Sequence, residues 1–398
     1  MTTPGRAAPY VLLFAASFPL WYLGMRLLGG ESILDHSPID QHTRQARAWL
    51  DGRLDLPGAP RYLEIARYGG RFYDSFPPTP AVVELPLVLA FGKKTPNGPV
   101  LYVFWGLALA AMFSMLRGRG FSEASALLAA LAFVFGTNVY ATCPRANVWA
   151  WEQGLGFCLS ILGLRFVIDN TKQGLLGPGL GYVLLSLAVG CRPFYLFMAP
   201  LFVVLDHRTS RPDLPRVLRS AALGMAPYGI VLAGLNYARF GNPLQFGHDY
   251  LGWAQALPEG IFSVQHLGRN LYHATLRLPD VVNDQPPFEF DPWGTAFWLN
   301  NGIFVFSLAA LVRGGFDRWV RAAAASSLVL VWFGLLLHQT NGWRQFGYRF
   351  LIDMLPIGFV LFLYAYRRFS GWMLAAFLSS LAVNVYGLTA WKEMPRPF

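Results

Sequence analysis

The sequence is short of charge. Of its 398 residues only 14% are Asp, Glu, Lys or Arg, against about a quarter in soluble domains. Cysteine is scarce too. The three present, Cys143, Cys158 and Cys191, lack metal-ligand spacing, which argues against a disulfide framework or a zinc site. There is no fixed-period repeat, no low-complexity tract and no phosphate-binding P-loop, and no residue pattern implies a metal or other cofactor. The net charge of +10 is not gathered into a basic stripe with interleaved aromatics. Nucleic acid is therefore not expected as a partner.

What the chain has instead is hydrophobic length. Apolar residues make up 54%, in runs of about 20 residues, the helical length that crosses about 30 Å of hydrocarbon. Aromatics reach 16%, with 13 Trp, many at the ends of runs as interfacial anchors. These features predict an all-α, polytopic membrane protein, one integral domain over 1–398. The first run, 10–29, lacks a small-residue cleavage site and reads as an uncleaved first span.

Arg6 precedes that run and places the N-terminus in the cytoplasm. The apolar stretch 79–92, broken by Pro80 and Pro86, then decides the topology. If it does not span, further spans fall at 98–116, 121–141, 150–168, 174–190, 193–206, 217–237, 294–313, 320–338, 350–366 and 371–390. The loops carrying Arg117, Arg165, Arg211, Arg318 and Arg367 then all face the cytoplasm. If it does span, every later basic loop lies on the wrong side. The stretch is therefore expected to be a re-entrant or surface helix, giving about eleven spans and an external C-terminus. Outside lie the segment 30–98, the CPRANVWAWEQ turn, Cys191-Arg192-Pro193, the long loop 238–293 and the HQTNGWRQFGYR turn.

The segment 30–98 holds two acidic motifs. In ESILDHSPIDQHTRQARAWLDG, Ser37 and Pro38 suit a helix start, Asp40 completes an S-x-x-D box and Gly52 is the stop. Ile39, Ala46, Trp49 and Leu50 share one face, as in a helix lying on a membrane surface. Arg44, one turn after Asp40, is expected to pair with it. In YGGRFYDSFPPTP, Asp74 precedes a double proline and reads either as a turn residue bonding its own backbone or as a functional carboxylate.

Together these motifs resemble those of the GT-C membrane glycosyltransferases, in particular protein O-mannosyltransferases and their bacterial relatives. Asp40-Gln41-His42 stands where that family has Asp-Glu, and Phe72-Tyr73-Asp74-Ser75-Phe76-Pro77-Pro78 matches its FFD-x-HPP motif. The likeness runs over residues 30–200. Gln41 in place of glutamate and Phe76 in place of histidine depart from it. The resemblance implies transfer of a sugar from a polyprenyl-phosphate-linked donor to an acceptor hydroxyl, with inversion, on the extracytoplasmic face of a bacterial inner membrane. It implies Asp40 as the base and Asp74 as a second carboxylate, with Asp35 as the fallback base and His42 as a further polar member.

A leaving phosphate needs positioned cations. Arg192, Arg344 and Arg349 lie at external span ends, with Arg145 a weaker fourth and His338 a hydrogen-bond donor. A single arginine there is an ordinary snorkelling anchor, but three on the face that orientation leaves poor in cations point to a phosphate site. Asp353 is expected to pair with Arg349 across one turn. The expected partners are the lipid-linked donor, membrane lipid and an acceptor that is lipid, glycan or protein. Two other readings stand beside this one: a catalytically silent scaffold of the same fold, and a lipid flippase or transporter. Few charges inside the spans and no inverted repeat weigh against transport.

Overall fold

The computed structural model describes residues 8–29, 36–168, 176–210, 213–282, 287–342 and 345–390. The first apolar run is helix α1 (Ala8–Gly29). The polar segment after it is compact. Helix α2 (His42–Leu50) leads to a hairpin of β1 (Ile65–Tyr68) and β2 (Arg71–Asp74), then to α3 (Thr79–Phe91). The expected start of α2 at Ser37-Pro38 is corrected: the helix begins at His42, and the side chain of Asp40 accepts the Thr43 N–H at 3.0 Å. A carboxylate there satisfies one of the orphan donors of the first turn. The stop at Gly52 is met by a left-handed residue, φ +69°.

The hairpin was not foreseen, though its signal was present. Gly69 and Gly70 both have positive φ (57° and 74°), the demand of a two-residue type I′ turn that matches strand twist. The register pairs Ile65 with Asp74 and Tyr68 with Arg71, which brings Asp74 back beside Glu64. Helix α3 has 13 residues with Pro86 inside it, about 20 Å of rise against the roughly 30 Å of a bilayer core. It packs on α2 through Ala46, Ala81 and Val88, with Trp49 and Leu85 at the edge.

The membrane part follows as α4 (Asn97–Gly118), α5 (Glu123–Phe135), α6 (Asn138–Thr142), α7 (Val148–Ile168), α8 (Leu176–Val189), α9 (Ala199–Ser210) and α10 (Leu214–Phe240). Short helices α11 (Gly252–Gln255) and α12 (Leu267–Thr275) and a strand pair, β3 (Asp280–Val281) with β4 (Phe288–Glu289), occupy the long loop. Then come α13 (Phe297–Asn300), α14 (Gly302–Arg313), α15 (Arg318–Leu337), α16 (Leu355–Ala365) and α17 (Gly371–Ala390). Each expected span contains a helix. Among the described residues, five are long and apolar enough to cross a membrane unaided: α4, α7, α10, α15 and α17. Of the rest, α1 has 22 residues and α5, α8, α9, α14 and α16 are shorter, α9 and α16 each following a 3-10 turn, Pro193–Met198 and Arg349–Met354. Between α13 and α14 the chain breaks at Asn301, and asparagines answer the freed backbone groups: Asn301 accepts from the Asn138 N–H, and Asn384 donates to the Asn300 carbonyl. Broken helices persist in hydrocarbon only with such internal satisfaction.

The helices differ in burial. Helix α7 is 83% buried through its apolar window and α10 only 22%. Helix α10 turns Leu223, Ile230, Val231 and Tyr237 outward, as a lipid-facing helix should. Helix α7 is the central post, and its amino end carries the candidate site.

Candidate active site

The acidic half of the site is built on the juxtamembrane segment. Asp40 and Asp74 are 2% and 1% exposed. Asp40 Oδ1 is held by the Thr43 N–H and Oδ2 by the Asn97 amide at 3.2 Å, with His36 Nδ1 3.7 Å away. The same Asn97 amide donates to Glu84, which also accepts from the Thr43 hydroxyl and the Trp151 indole. Asp74 Oδ1 accepts from the Phe76 N–H and from the Gln41 amide, both at 2.9 Å. Its Oδ2 has no hydrogen bond among the described residues and faces His42 Nδ1 at 3.9 Å. Burial pushes the Asp74 carboxyl up to about 7 and the His42 imidazole down to about 4. Both shifts favour the uncharged forms, which agrees with the open gap between them. Burial also raises Glu64, which accepts from the Trp149 indole at 3.0 Å.

The two departures from the family pattern have structural roles. Gln41 Nε2 donates to both Asp74 and the Glu64 carbonyl, while its Oε1 accepts the Glu64 N–H. A glutamate could accept from Glu64 but not donate to Asp74 while ionised. Phe76 lies edge-on between His42 and His248, with ring centroids 6.0 and 5.9 Å away. His248 comes from the long loop, and burial drops its imidazole to about 4.

The basic half lies across the amino end of α7. Arg192 donates from NH1 to Glu152 at 2.6 Å and from Nε to Asp353 at 2.7 Å. Arg349 donates to the Gln153 amide oxygen at 3.0 Å and, among the described residues, makes no ion pair. Both guanidinium carbons sit 5.1 Å from the centre of the Phe350 ring. His338 stands edge-on to the same ring at 6.2 Å, its Nδ1–H donating to the Thr340 carbonyl at 2.8 Å.

Four side chains near the start of α7 join the halves. Trp149 reaches Glu64, Trp151 reaches Glu84, Glu152 reaches Arg192 and Gln153 reaches Arg349. One residue earlier, the Val148 carbonyl meets His42 Nε2 at 3.3 Å, and the Val148 N–H donates to Ile39. Consecutive residues on a helix point about 100° apart, so this stretch addresses several elements at once.

Of the sequence candidates, Asp40, His42 and Asp74 come together in one group, and Arg192, Arg349 and His338 in another. Arg145 closes the 3-10 turn Cys143–Arg145 that leads toward α7. Asp35 and Arg344 lie outside the described residues. Two expected pairings are corrected. Arg44 is exposed and donates to the Tyr62 hydroxyl, because Asp40 turns inward to Asn97. Asp353 pairs with Arg192 rather than Arg349, because the 3-10 geometry of Arg349–Met354 lacks the α-helical i,i+4 alignment. Glu64, Glu84, Trp149, Trp151, Glu152 and Gln153 were missed. The signal was two tryptophans and two polar residues at a span entrance. Arg239 was missed as well: it is 2% exposed and donates to the Asp74 carbonyl at 3.0 Å. Beside the acidic half, an apolar cavity of about 450 Å³ opens between Trp49, Leu54, Pro78, Val82, Tyr228 and Val231.

No described protein family and no curated protein matches the sequence. Solved structures do match the fold. ArnT from Cupriavidus metallidurans, bound to undecaprenyl phosphate, superposes with a TM-score of 0.51 at 11% identity over 89% of this chain. Its apo state gives 0.50 at 13% over the same share. The fold is that of the GT-C membrane glycosyltransferases. The chain spans 59% of the length of ArnT, and at this identity the likeness is one of fold. An oligosaccharyltransferase from Archaeoglobus fulgidus in the apo form superposes at a TM-score of 0.45 and 12% identity, over 96% of this chain and 56% of that one.

Proposed function

We propose that this integral membrane protein is a GT-C glycosyltransferase that moves a sugar from a polyprenyl-phosphate-linked donor to an acceptor hydroxyl, with inversion. The active face is the extracytoplasmic side of a bacterial inner membrane. The observation that carries the reading is the amino end of α7, where Trp149, Trp151, Glu152 and Gln153 tie a group of buried carboxylates to a pair of arginines. In this reaction the acceptor oxygen bonds to the anomeric carbon as the bond to phosphate breaks. The electron pair stays on the phosphate, and the hydroxyl proton passes to a base.

Asp40 serves as that base. The Thr43 N–H and the Asn97 amide orient its two oxygens as acceptors, the arrangement a hydroxyl proton requires. Asp74 orients the acceptor beside it. Arg349, bonded among the described residues to the neutral Gln153 amide, offers its guanidinium to the donor phosphate, with Arg192 beside it and Arg344 and His338 assisting. The apolar cavity next to Pro78 suits an isoprenoid chain.

Full-length protein in nanodiscs, given polyprenyl-phosphate-linked sugars, tests this. Asp40→Asn is expected to lower transfer by about 10²–10⁴ while donor binding persists. Normal turnover in that variant removes Asp40 from the role and moves it to Asp35 or Asp74. Binding without any transfer in the wild type favours the silent scaffold, a reading supported by Gln41 and by the complete burial of both aspartates.

A further inference from the structure

The Arg192 guanidinium is divided between two acids. Glu152, 3% exposed, takes the outer NH1, and Asp353, 1% exposed, takes the inner Nε. Arg349 is the other cation on the Phe350 ring. Two acids against two arginines leave no net formal charge. A site meant only to trap anions would leave both cations uncompensated, and would hold the most highly charged phosphate most tightly. Here an entering phosphate meets buried carboxylates as well as guanidinium groups.

We infer that Glu152 is a specificity-determining residue that makes the site favour a lipid phosphodiester over a lipid phosphomonoester. This rests on the reading of the Arg192–Arg349 pair as the donor's phosphate site. A sugar joined through phosphate to a polyprenol is a diester with one negative charge. After transfer the lipid keeps its phosphate as a monoester, whose second ionisation near pH 6 brings it to about −1.5 to −2 at neutral pH. The extra charge falls beside Glu152, which already occupies NH1, one of the two terminal nitrogens of the Arg192 fork. Asp353, on the stem side of the fork, acts from behind. The spent lipid is thereby bound less firmly than the loaded one, and product leaves.

The test needs neither a sugar nor turnover. Equilibrium binding of a polyprenyl phosphate and of its methyl phosphodiester is measured on the full chain in nanodiscs. Glu152→Gln is expected to shift the affinity ratio toward the monoester by about tenfold, one unit charge acting through a high effective dielectric; Glu152→Asp keeps the wild-type ratio. In the unmodified protein, lowering the pH through about 6 removes the monoester's second charge, and the two affinities should converge. The other ionisable groups near the arginines, Glu64, His248, His338, Cys191, Tyr195 and Tyr348, meet both lipids. Running Glu152→Gln through the same pH series separates the phosphate's second charge from that of Glu152. If both lipids bind and neither the variant nor the pH series moves the ratio, the discrimination is overturned and the phosphate site stands. If the wild type binds neither lipid, the phosphate site falls and the discrimination with it. Should Glu152→Gln fail to fold, Glu152→Met takes its place, with the same expected shift and the same overturning result.

Discussion

The acidic half of the site comes from one short reach of chain, and the basic half from three distant ones. Asp40, Gln41, His42 and Asp74 lie within a single segment, where Gln41 bonds Asp74 across 33 positions and Asp40 bonds Asn97 across 57. Arg192 reaches across 161 positions to Asp353, and Arg349 across 196 to Gln153. The halves also treat charge differently. The acids are answered mainly by neutral donors: Asn97, Thr43, Gln41, Trp149 and Trp151. Arg192 is answered by carboxylates. Burial therefore shifts Asp74 toward its neutral form, while the Arg192 cluster keeps its charges by pairing them.

The sharpest test of that contrast separates the two arginines. Arg192→Met removes the shared cation from between two buried acids and is expected to cost about 3–5 kcal/mol of stability. Arg349→Met leaves only the Gln153 amide without its donor and is expected to cost about 1 kcal/mol. Thermal unfolding of both variants in one detergent measures the difference. Equal losses would mean that the two cations share one environment, and would break the contrast.

Donor binding should order the same residues the other way. Arg349→Lys keeps the charge but loses the planar fork. It is expected to weaken binding of a polyprenyl phosphate by about 1.5–3 kcal/mol, with almost no change in thermal midpoint. A snorkelling anchor would tolerate lysine without loss. Wild-type affinity in this variant would therefore leave Arg349 an anchor, and the phosphate site would have to be sought at Arg145 or in the long loop.

The same contrast explains what could be read from the sequence. Apolar length and the basic loops carried the membrane class and a helix within every expected span. Asp40 and Asp74 could be picked out because a motif is a local object, and the structure brings the two into one local group. The hairpin was legible in principle, since Gly69-Gly70 between alternating residues is a turn signal. Arg192 and Arg349 could be picked out by their place at span ends, but not their partners. No periodicity links Glu152 to Arg192 or Asp353 to Arg192; those pairs exist because α7 is the central helix and two spans begin beside its amino end. The two rejected pairings, Arg44 with Asp40 and Arg349 with Asp353, both assumed a regular helix where the chain has its helix start or a 3-10 turn.

The expected effect that depends most on pH lies in the acidic half, at Gln41. Its amide is the donor that lets Asp74 sit buried beside the Glu64 carbonyl. Gln41→Glu keeps the oxygen that accepts the Glu64 N–H, and turns the donor into a second carboxyl group. While that carboxyl holds a proton it can still donate to Asp74, so at low pH the variant should be nearly as stable as the wild type. The sign follows from linkage. Asp74 is raised from an ordinary 3.8 to about 7, so the stability tied to its neutral form is full below pH 4 and is lost as pH climbs through about 7. A second buried carboxyl facing it has its own folded value raised by the like charge, and loses stability in the same direction. The gap between wild type and Gln41→Glu should therefore open from about pH 4 upward. It should reach about 1–3 kcal/mol near pH 8, where neither carboxyl can donate and Asp74 Oδ1 keeps only the Phe76 N–H of its two donors. His42, lowered to about 4, works in the opposite sense, losing stability as pH falls from 6.5 toward 4, and does so in both proteins alike. Thermal midpoints of the pair measured from pH 4 to 8 give the result as a difference. A gap that stays constant with pH would mean that Gln41 does not face a titrating Asp74.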